Sequence, residues 1–528
     1  MSTVASGQGS HAEGNETEAS GNHSHAEGSE TSAQGGDSHA EGQGSIAEGQ
    51  DSHAEGIRTT ALGEASHTEG YQTTAFTGWN HAEGYSDNSI PSNYTSDTDN
   101  ATILSGWTSS KFSLAKGTGS HVEGRNCLAL NNCSHAEGNR TRATGSSSHA
   151  EGDETEANGA CAHAEGSNAV ASGYASHTEG YLTAAQSYYS HAEGNTTTAS
   201  NMASHSEGDH TTASGYASHA EGQLTTASGN YSHSEGYGTT ASGDCSHSEG
   251  CDTTADGDYS HAGGYGTRAG GFQYAIGCYN LPMAGRYSDG SIYADSNGIY
   301  AATAFVVGCG TSDTARDNAF RVATDGTAYG KKAFQSPGAD FAEYFEWLDG
   351  NPNNEDRRGR MVTLDGTKIK LANADDDYIL GAISTDGAFI GNSSSENWQG
   401  KYMKDIFGEW LLQEVEIPEK ITVRQIEKID EETGEKVIEE IEEVTPAHTA
   451  IQYVINPDYD PDQEYVSREF RKEWSPVGFH GQVVVVDDGT CQVNSYCKPS
   501  VDGIATASNE GYRVMERLDE THIKVLVK

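Results

Sequence analysis

Histidine recurs every fourteen residues through the first half of this chain. The row runs His11, His25, His39, His53, His67 and His81, then, after one break, His121, His135, His149, His163, His177, His191, His205, His219, His233, His247 and His261. A fixed short period of this kind specifies a repeat architecture, in which each unit stacks only on its neighbours. Eight of the seventeen histidines stand in Ser-His-Ala-Glu-Gly and the rest in close variants; the full unit adds two variable residues, Thr-Thr-Ala-Ser-Gly and two more, as in residues 218–231.

Frequent glycine and the absence of leucine-type positions every three to four residues exclude a helical heptad. Each half-unit reads as a short strand and a glycine-bearing turn, so fourteen residues make one coil of a β-solenoid. Coils rising ~4.8 Å each give a rod of roughly 80 Å. Within a strand His and Glu lie two apart and share a face, while Ala faces the other way. The expectation is therefore rows of His and Glu along the rod, with imidazoles offsetting carboxylate repulsion by hydrogen bonding or protonation. His beside carboxylate is also Zn²⁺ chemistry. Sixteen such pairs at regular spacing read as structure, and no metal site is assigned. The last unit, His261-Ala262-Gly263-Gly264, has lost its Glu, as terminal repeats do.

The chain has 528 residues, of which only 34% are hydrophobic, and 64 glycines. Alanine and glycine inside a slender coil bury too little to stand alone, so several chains side by side are expected, with three the favoured number. The net charge of −47 argues against nucleic acid as a partner. No run of about 18 apolar residues is present, so no membrane insertion is expected, and the first residues lack a signal-peptide pattern. The nine scattered cysteines fit no zinc spacing and point to synthesis in a reducing compartment.

The expected organisation is mainly β. Six coils occupy 1–85, an insert 86–119, and eleven coils 120–264. A small β-rich connector follows over 265–338, then a mixed, mainly β domain over 339–528 with a charged β-hairpin at about 414–456. The insert carries Tyr94, Trp107 and Phe112 among polar residues. It reads either as a projecting contact loop or as a loop packing its own aromatics.

One segment could carry chemistry. Ala339-Asp340-Phe341-Ala342-Glu343-Tyr344-Phe345-Glu346-Trp347 sets carboxylates among aromatics. Apolar surroundings raise carboxyl pKa values and neighbouring carboxylates push theirs apart, which can divide acid and base roles. An acidic-aromatic stretch is also commonplace in a structural strand.

Two resemblances extend this reading. The fourteen-residue unit over residues 10–264 resembles the β-roll heads of trimeric autotransporter adhesins, which carry Val and Ile where His and Glu stand here. This implies a β-roll and a homotrimer. The stretch from Gly338 to Trp347 is similar to the opening of the intramolecular chaperone (IMC) autoproteolytic cleavage domain of glutamic-peptidase type. So are Glu473-Trp474, Val477-Gly478, Gly481-Gln482-Val483, Asp488-Gly489-Thr490-Cys491, Asp502-Gly503-Ile504-Ala505-Thr506 and Gly511-Tyr512-Arg513-Val514, in order.

That family closes phage tail-spike and pre-neck appendage proteins. It implies a C-terminal domain that trimerises, guides folding of the shaft and cuts itself off in a single turnover. By this likeness the cut falls at Ala339–Asp340. Glu343 is the main catalytic carboxylate, Asp340 assists, and Glu346 is a weaker candidate, better read as salt-bridged. ATP binding is implied by the family alone, since no phosphate-binding loop is present. The expected partners are two further copies, a virion attachment protein and an unidentified host receptor or glycan. The expected location is the host cytoplasm during assembly, then the virion tail. The alternatives are a bacterial trimeric surface adhesin and a glycan-degrading tail spike.

Overall fold

The computed structural model describes residues 3–282, 303–324, 326–393, 401–429, 436–445, 447–462 and 464–528. They form two compact units, Met1–Lys332 and Ala333–Lys528.

The first unit is a parallel β-solenoid. Each coil contributes a strand beginning at the histidine, such as His149–Asp153, and a two-residue strand such as Glu156–Ala157. Both pair in register with the same positions of the next coil, His149 with His163 and Ala157 with Ala171. The alanines of both strands form fully buried columns, including Ala136, Ala150 and Ala164 on one side and Ala143, Ala157 and Ala171 on the other. Turns are closed by buried hydroxyls. Ser148 Oγ donates to the Gly145 carbonyl at 2.7 Å, and Thr59 Oγ1 donates to the Glu55 carbonyl at 3.1 Å. These bonds satisfy part of the polar groups that a coil this narrow must bury, while the buried Thr155 and Thr197 hydroxyls have no hydrogen-bond partner.

The glycine after Glu is required twice over. Gly152 has φ +114°, and a β-carbon there would fall onto the Gly166 carbonyl of the next coil. Two residues further on the turn enters the left-handed region even without glycine, as at Glu154 (φ 56°) and Asn168 (φ 55°). The chain accepts this cost because the same residue's N–H bonds the preceding coil, Glu154 N–H to the Asn139 carbonyl at 2.8 Å.

The insertion lies within one coil. Thr74 pairs with Leu114 and His81 with His121, so the extra residues are Asp87–Phe112 and the coil resumes in register. Part of the insertion is not loop but helix, Asn100–Ser109, capped by the Asp99 carboxylate, which accepts from the Thr102 N–H. Ile103, Trp107 and Phe112 are buried against Phe76, Leu114, Leu128 and Leu130. The expected contact surface is corrected accordingly. Trp107 is 3% exposed and Phe112 fully buried, while half-buried Tyr94 stacks edge-on to Phe112. Leu114, Leu128 and Leu130 are buried beneath the helix and give its apolar side a seat.

The expected boundary at 264 also needs correction. Tyr274–Cys278 continues the histidine-bearing sheet in parallel, and Thr303–Cys309 stacks on it in turn. Tyr274-Ala275-Ile276-Gly277 keeps the small interior residue and the positive-φ glycine, so the coil persists although histidine has gone. Antiparallel strands Asn318–Ala323 and Ala328–Gly330 then end the sheet.

The second unit is built on one long strand, Trp474–Val486. It pairs with Asp340–Glu346, with Gly381–Ile383 and with His522–Val527. The sheet continues outward through Tyr512–Arg517, Tyr496–Pro499 and Ala505–Ser508. One core gathers Met361, Val483, Val485, Val514, Ile523 and Val525, and a second gathers Trp347, Val362, Ile369, Ile383 and Val477. The charged segment is strand, as expected: Leu412–Ile417 pairs with His448–Tyr453, and Lys420–Ile429 with Lys436–Thr445. Its expected turn, Thr433-Gly434-Glu435, lies outside the described residues.

Candidate functional site: a buried aspartate at the Ala339–Asp340 bond

Strand Asp340–Glu346 alternates strictly. Asp340, Ala342 and Tyr344 are buried, Phe341 is exposed, and Glu343 is half-buried. Strand geometry therefore puts Asp340 and Glu343 on opposite faces.

Asp340 is 1% exposed. Ser384 Oγ donates to its Oδ1 at 3.2 Å, and its Oδ2 is shielded from solvent with no hydrogen-bond partner. Burial raises the Asp340 pKa, and the nearby Asp386 carboxylate raises it further, against the Ser384 hydrogen bond. A protonated carboxyl is what this environment favours, and its hydroxyl is a proton donor beside its own backbone nitrogen.

Two glycines make the room. A β-carbon on Gly478 would collide with Asp340 Oδ2. One on Gly481, whose φ is +114°, would strike the Ala339 carbonyl and come within 2.8 Å of Asp340 Cα. That close approach lets the Gln482 N–H donate to the Ala339 carbonyl oxygen at 3.1 Å. The carbonyl of the expected scissile bond thus carries a fixed backbone donor, the element that stabilises an oxyanion. A cavity of about 550 Å³ opens beside the bond, lined by Ala339, Asp340, Ser384, Gln482 and Lys524 among others.

The expected partnership of Glu343 with Asp340 is not formed within one chain. Glu343 lies three residues along an extended strand, roughly 10 Å away. Its strand neighbour there is Gly391, and its charge acts on Arg468. Glu346 is bound by Lys368, Nζ to Oε1 2.7 Å, as expected of a salt-bridged group. Ser384 and Asp386 were not found from sequence, because nothing marks a lone Ser or Asp that pairing brings across from another strand. Gly478 and Gly481 were in the quoted motifs, and their role is close backbone approach.

The histidine row is as continuous as its spacing implied. Successive rings stack with centroids 4.6–5.0 Å apart from His11 to His247. The expected hydrogen-bonded ladder is corrected, however. Most Nε2 to Glu separations are 3.5–4.0 Å, as at His81–Glu83 and His149–Glu151. Hydrogen bonds form at His233–Glu221 and His261–Glu249, both 3.2 Å. Burial, then neighbouring imidazoles, depresses the pKa of His149, His191, His205 and His219, and that of His135 to about 4.

The chain thus holds a coiled polar rod and a second unit in which a backbone N–H is bonded to the Ala339 carbonyl. Residues 291–521 match the peptidase G2, IMC autoproteolytic cleavage domain, and residues 26–52, 54–76 and 206–232 match the YadA head domain repeat. The pre-neck appendage protein of Bacillus phage B103 is 36% identical over 173 residues, 33% of this chain and 16% of that protein. The putative phage-related protein YobO of Bacillus subtilis (strain 168) is 36% identical over 179 residues, 33% of this chain and 18% of that protein. The chain therefore spans under a fifth of the length of these relatives. Among solved structures, the C-terminal fragment of bacteriophage phi29 gene product 12 is 32% identical, covering 36% of this chain and all of the fragment, with a TM-score of 0.26. The pre-mature form of that gene product is 16% identical, covering 96% of this chain and 66% of its own, with a TM-score of 0.41.

Proposed function

We propose that this chain is the rod-and-release part of a phage appendage. Its coils form the rod. Its C-terminal unit acts as an intramolecular chaperone that aligns three copies and then frees itself by hydrolysing Ala339–Asp340. Pairing non-local strands is slow and exposes edges that aggregate, so a C-terminal trimer that sets register speeds assembly. Removing it afterwards leaves the rod kinetically trapped. The product is made in the host cytoplasm and ends on the virion.

The observation that carries this reading is the Ala339 carbonyl held by the Gln482 N–H beside the buried Asp340 carboxyl. In the reaction, a water oxygen adds to the Ala339 carbonyl carbon. The Gln482 N–H steadies the resulting oxyanion. The Asp340 carboxyl gives its proton to its own backbone nitrogen as the C–N bond breaks. Glu343 takes the proton lost by the water. Because Glu343 is out of reach along its own strand, we assign this base to a neighbouring copy, so cutting waits for assembly. ATP, implied by family likeness alone, fits best in the cleft of about 750 Å³ where Lys498, Arg513 and Lys528 stand near Tyr496 and Tyr512.

The test is intact mass after assembly. Wild type should yield a fragment running from Asp340 to Lys528. Asp340→Asn and Glu343→Ala should each stay whole. Co-expressed, the two variants should restore cutting of the Glu343→Ala chain. A wild type that stays full length overturns self-cleavage, and co-assembly without cutting overturns the borrowed base.

A further inference from the structure

The Nε2 atoms of most histidines in the row are shielded from solvent and have no hydrogen-bond partner, although a carboxylate stands beside each. Buried polar atoms normally find partners, so a whole row without them needs an occupant. The end of the ladder behaves differently. Gly263 replaces the last Glu, and a side chain there would crowd Glu249 Oε1 and His261 Nε2. His261 has turned 82° from His247 and bonds Glu249 at 3.2 Å. His233 bonds Glu221 at 3.2 Å in the same way although Glu235 is present, so two imidazoles of the row satisfy themselves within the chain.

Elsewhere the donors converge. One ligand atom each from His53, Glu55 and His67 lie within 4.8 Å of one another, and so do those of His135, Glu137 and His149. The same pattern recurs along the rod, in some places with one His between two Glu. Two imidazole nitrogens and a carboxylate oxygen select a borderline transition ion such as Zn²⁺, not Mg²⁺ or Ca²⁺, which take oxygen donors. Neutral imidazole is the ligating form.

We propose that the His–Glu face of the solenoid is a linear array of Zn²⁺-class sites, each held by histidines of two successive coils and the carboxylate between them. Zn–N distances of about 2.0–2.1 Å require the two nitrogens to come within about 4.2 Å, so the stacked rings tilt toward the ion. Each ion consumes the ligands of two coils, which sets one ion per two coils and keeps neighbouring charges apart. A fourth position stays open to water.

The experiment uses the full chain without an affinity tag, stripped with chelator and dialysed against Zn²⁺ or Mg²⁺. Bound metal is counted by mass spectrometry, and Co²⁺ is used as a spectroscopic probe. Several Zn²⁺ per chain, no retained Mg²⁺ and a four-coordinate Co²⁺ spectrum are expected. His149→Gln and, separately, the milder Glu137→Gln should each lower the Zn²⁺ count by about one. His210→Gln, outside the row, should leave it unchanged. Retention of one Zn²⁺ or fewer, an octahedral Co²⁺ spectrum, or equal loss in all three variants would overturn the proposal.

Discussion

Gly478 lies directly beneath the Asp340 carboxylate, so close that a β-carbon would occupy the space of Oδ2. The same added atom would sit 2.8 Å from Val483 Cγ2 and 3.2 Å from Ser384 Cβ. Gly478→Ala should therefore destabilise the C-terminal unit by about 1–3 kcal/mol through overpacking. It should also slow self-cleavage by displacing the acid. Denaturant unfolding and the cleaved fraction on a gel check the two effects separately.

The raised Asp340 pKa fixes the sign of a pH effect. Its carboxyl holds its proton more tightly in the folded chain than its ordinary 3.8. The stability this gives is complete below 3.8 and is lost as pH rises through the raised value. Cleavage, if it needs the protonated acid, should fade over the same window. Asp340→Asn should flatten the stability slope there, read as unfolding midpoints from pH 3 to 8.

The histidine row responds in the opposite sense. The sequence left hydrogen bonding and protonation of the imidazoles open, and protonation would make the rod loosen at high pH. Burial instead depresses these pKa values, that of His135 from 6.5 to about 4. Stability is then full above 6.5 and lost as pH falls toward 4. In metal-free buffer, the melting temperature should hold from pH 7 to 9 and drop on acidification. A rod that melts earlier at pH 9 than at pH 7 would refute this.

Gly152→Ala places a methyl group on the Gly166 carbonyl at φ +114°. The two coils must separate locally, and a loss of about 2–4 kcal/mol is expected from backbone strain and broken pairing. Because each coil contacts only its neighbours, limited proteolysis should reveal cutting near residue 152 before the rest of the rod opens.

Glu346 is held by Lys368 at a partly exposed site, where an ion pair contributes under about 1 kcal/mol. Glu346→Gln should leave both cleavage and folding nearly unchanged. A block of cleavage comparable to that of Glu343→Ala would show that the weaker sequence candidate takes part in the reaction.

The rod was legible because its physics is local and repeated. Fourteen-residue spacing, small residues at alternate positions and glycine at the turns each constrain a coil without reference to distant chain. The insertion was half legible. Its aromatics were plain, but their burial depends on Leu128 and Leu130, which come from the next coil and read as minor departures from the repeat. The end of the solenoid was misplaced because histidine was counted. The interior alanine and the positive-φ glycine, which build the coil, continue through Ala275 and Gly277.

The amino-acid order by itself determined the repeat and the acidic-aromatic strand, and the candidate bond at Ala339–Asp340 came from family resemblance. Only the tertiary structure decided which groups stand beside that bond. Strand alternation turns Glu343 away, while pairing across the sheet brings Ser384, Gly478 and Gln482, all distant in sequence, onto Asp340 and the Ala339 carbonyl. Register between non-local strands is a property of the packed sheet, and no local pattern of residues encodes it.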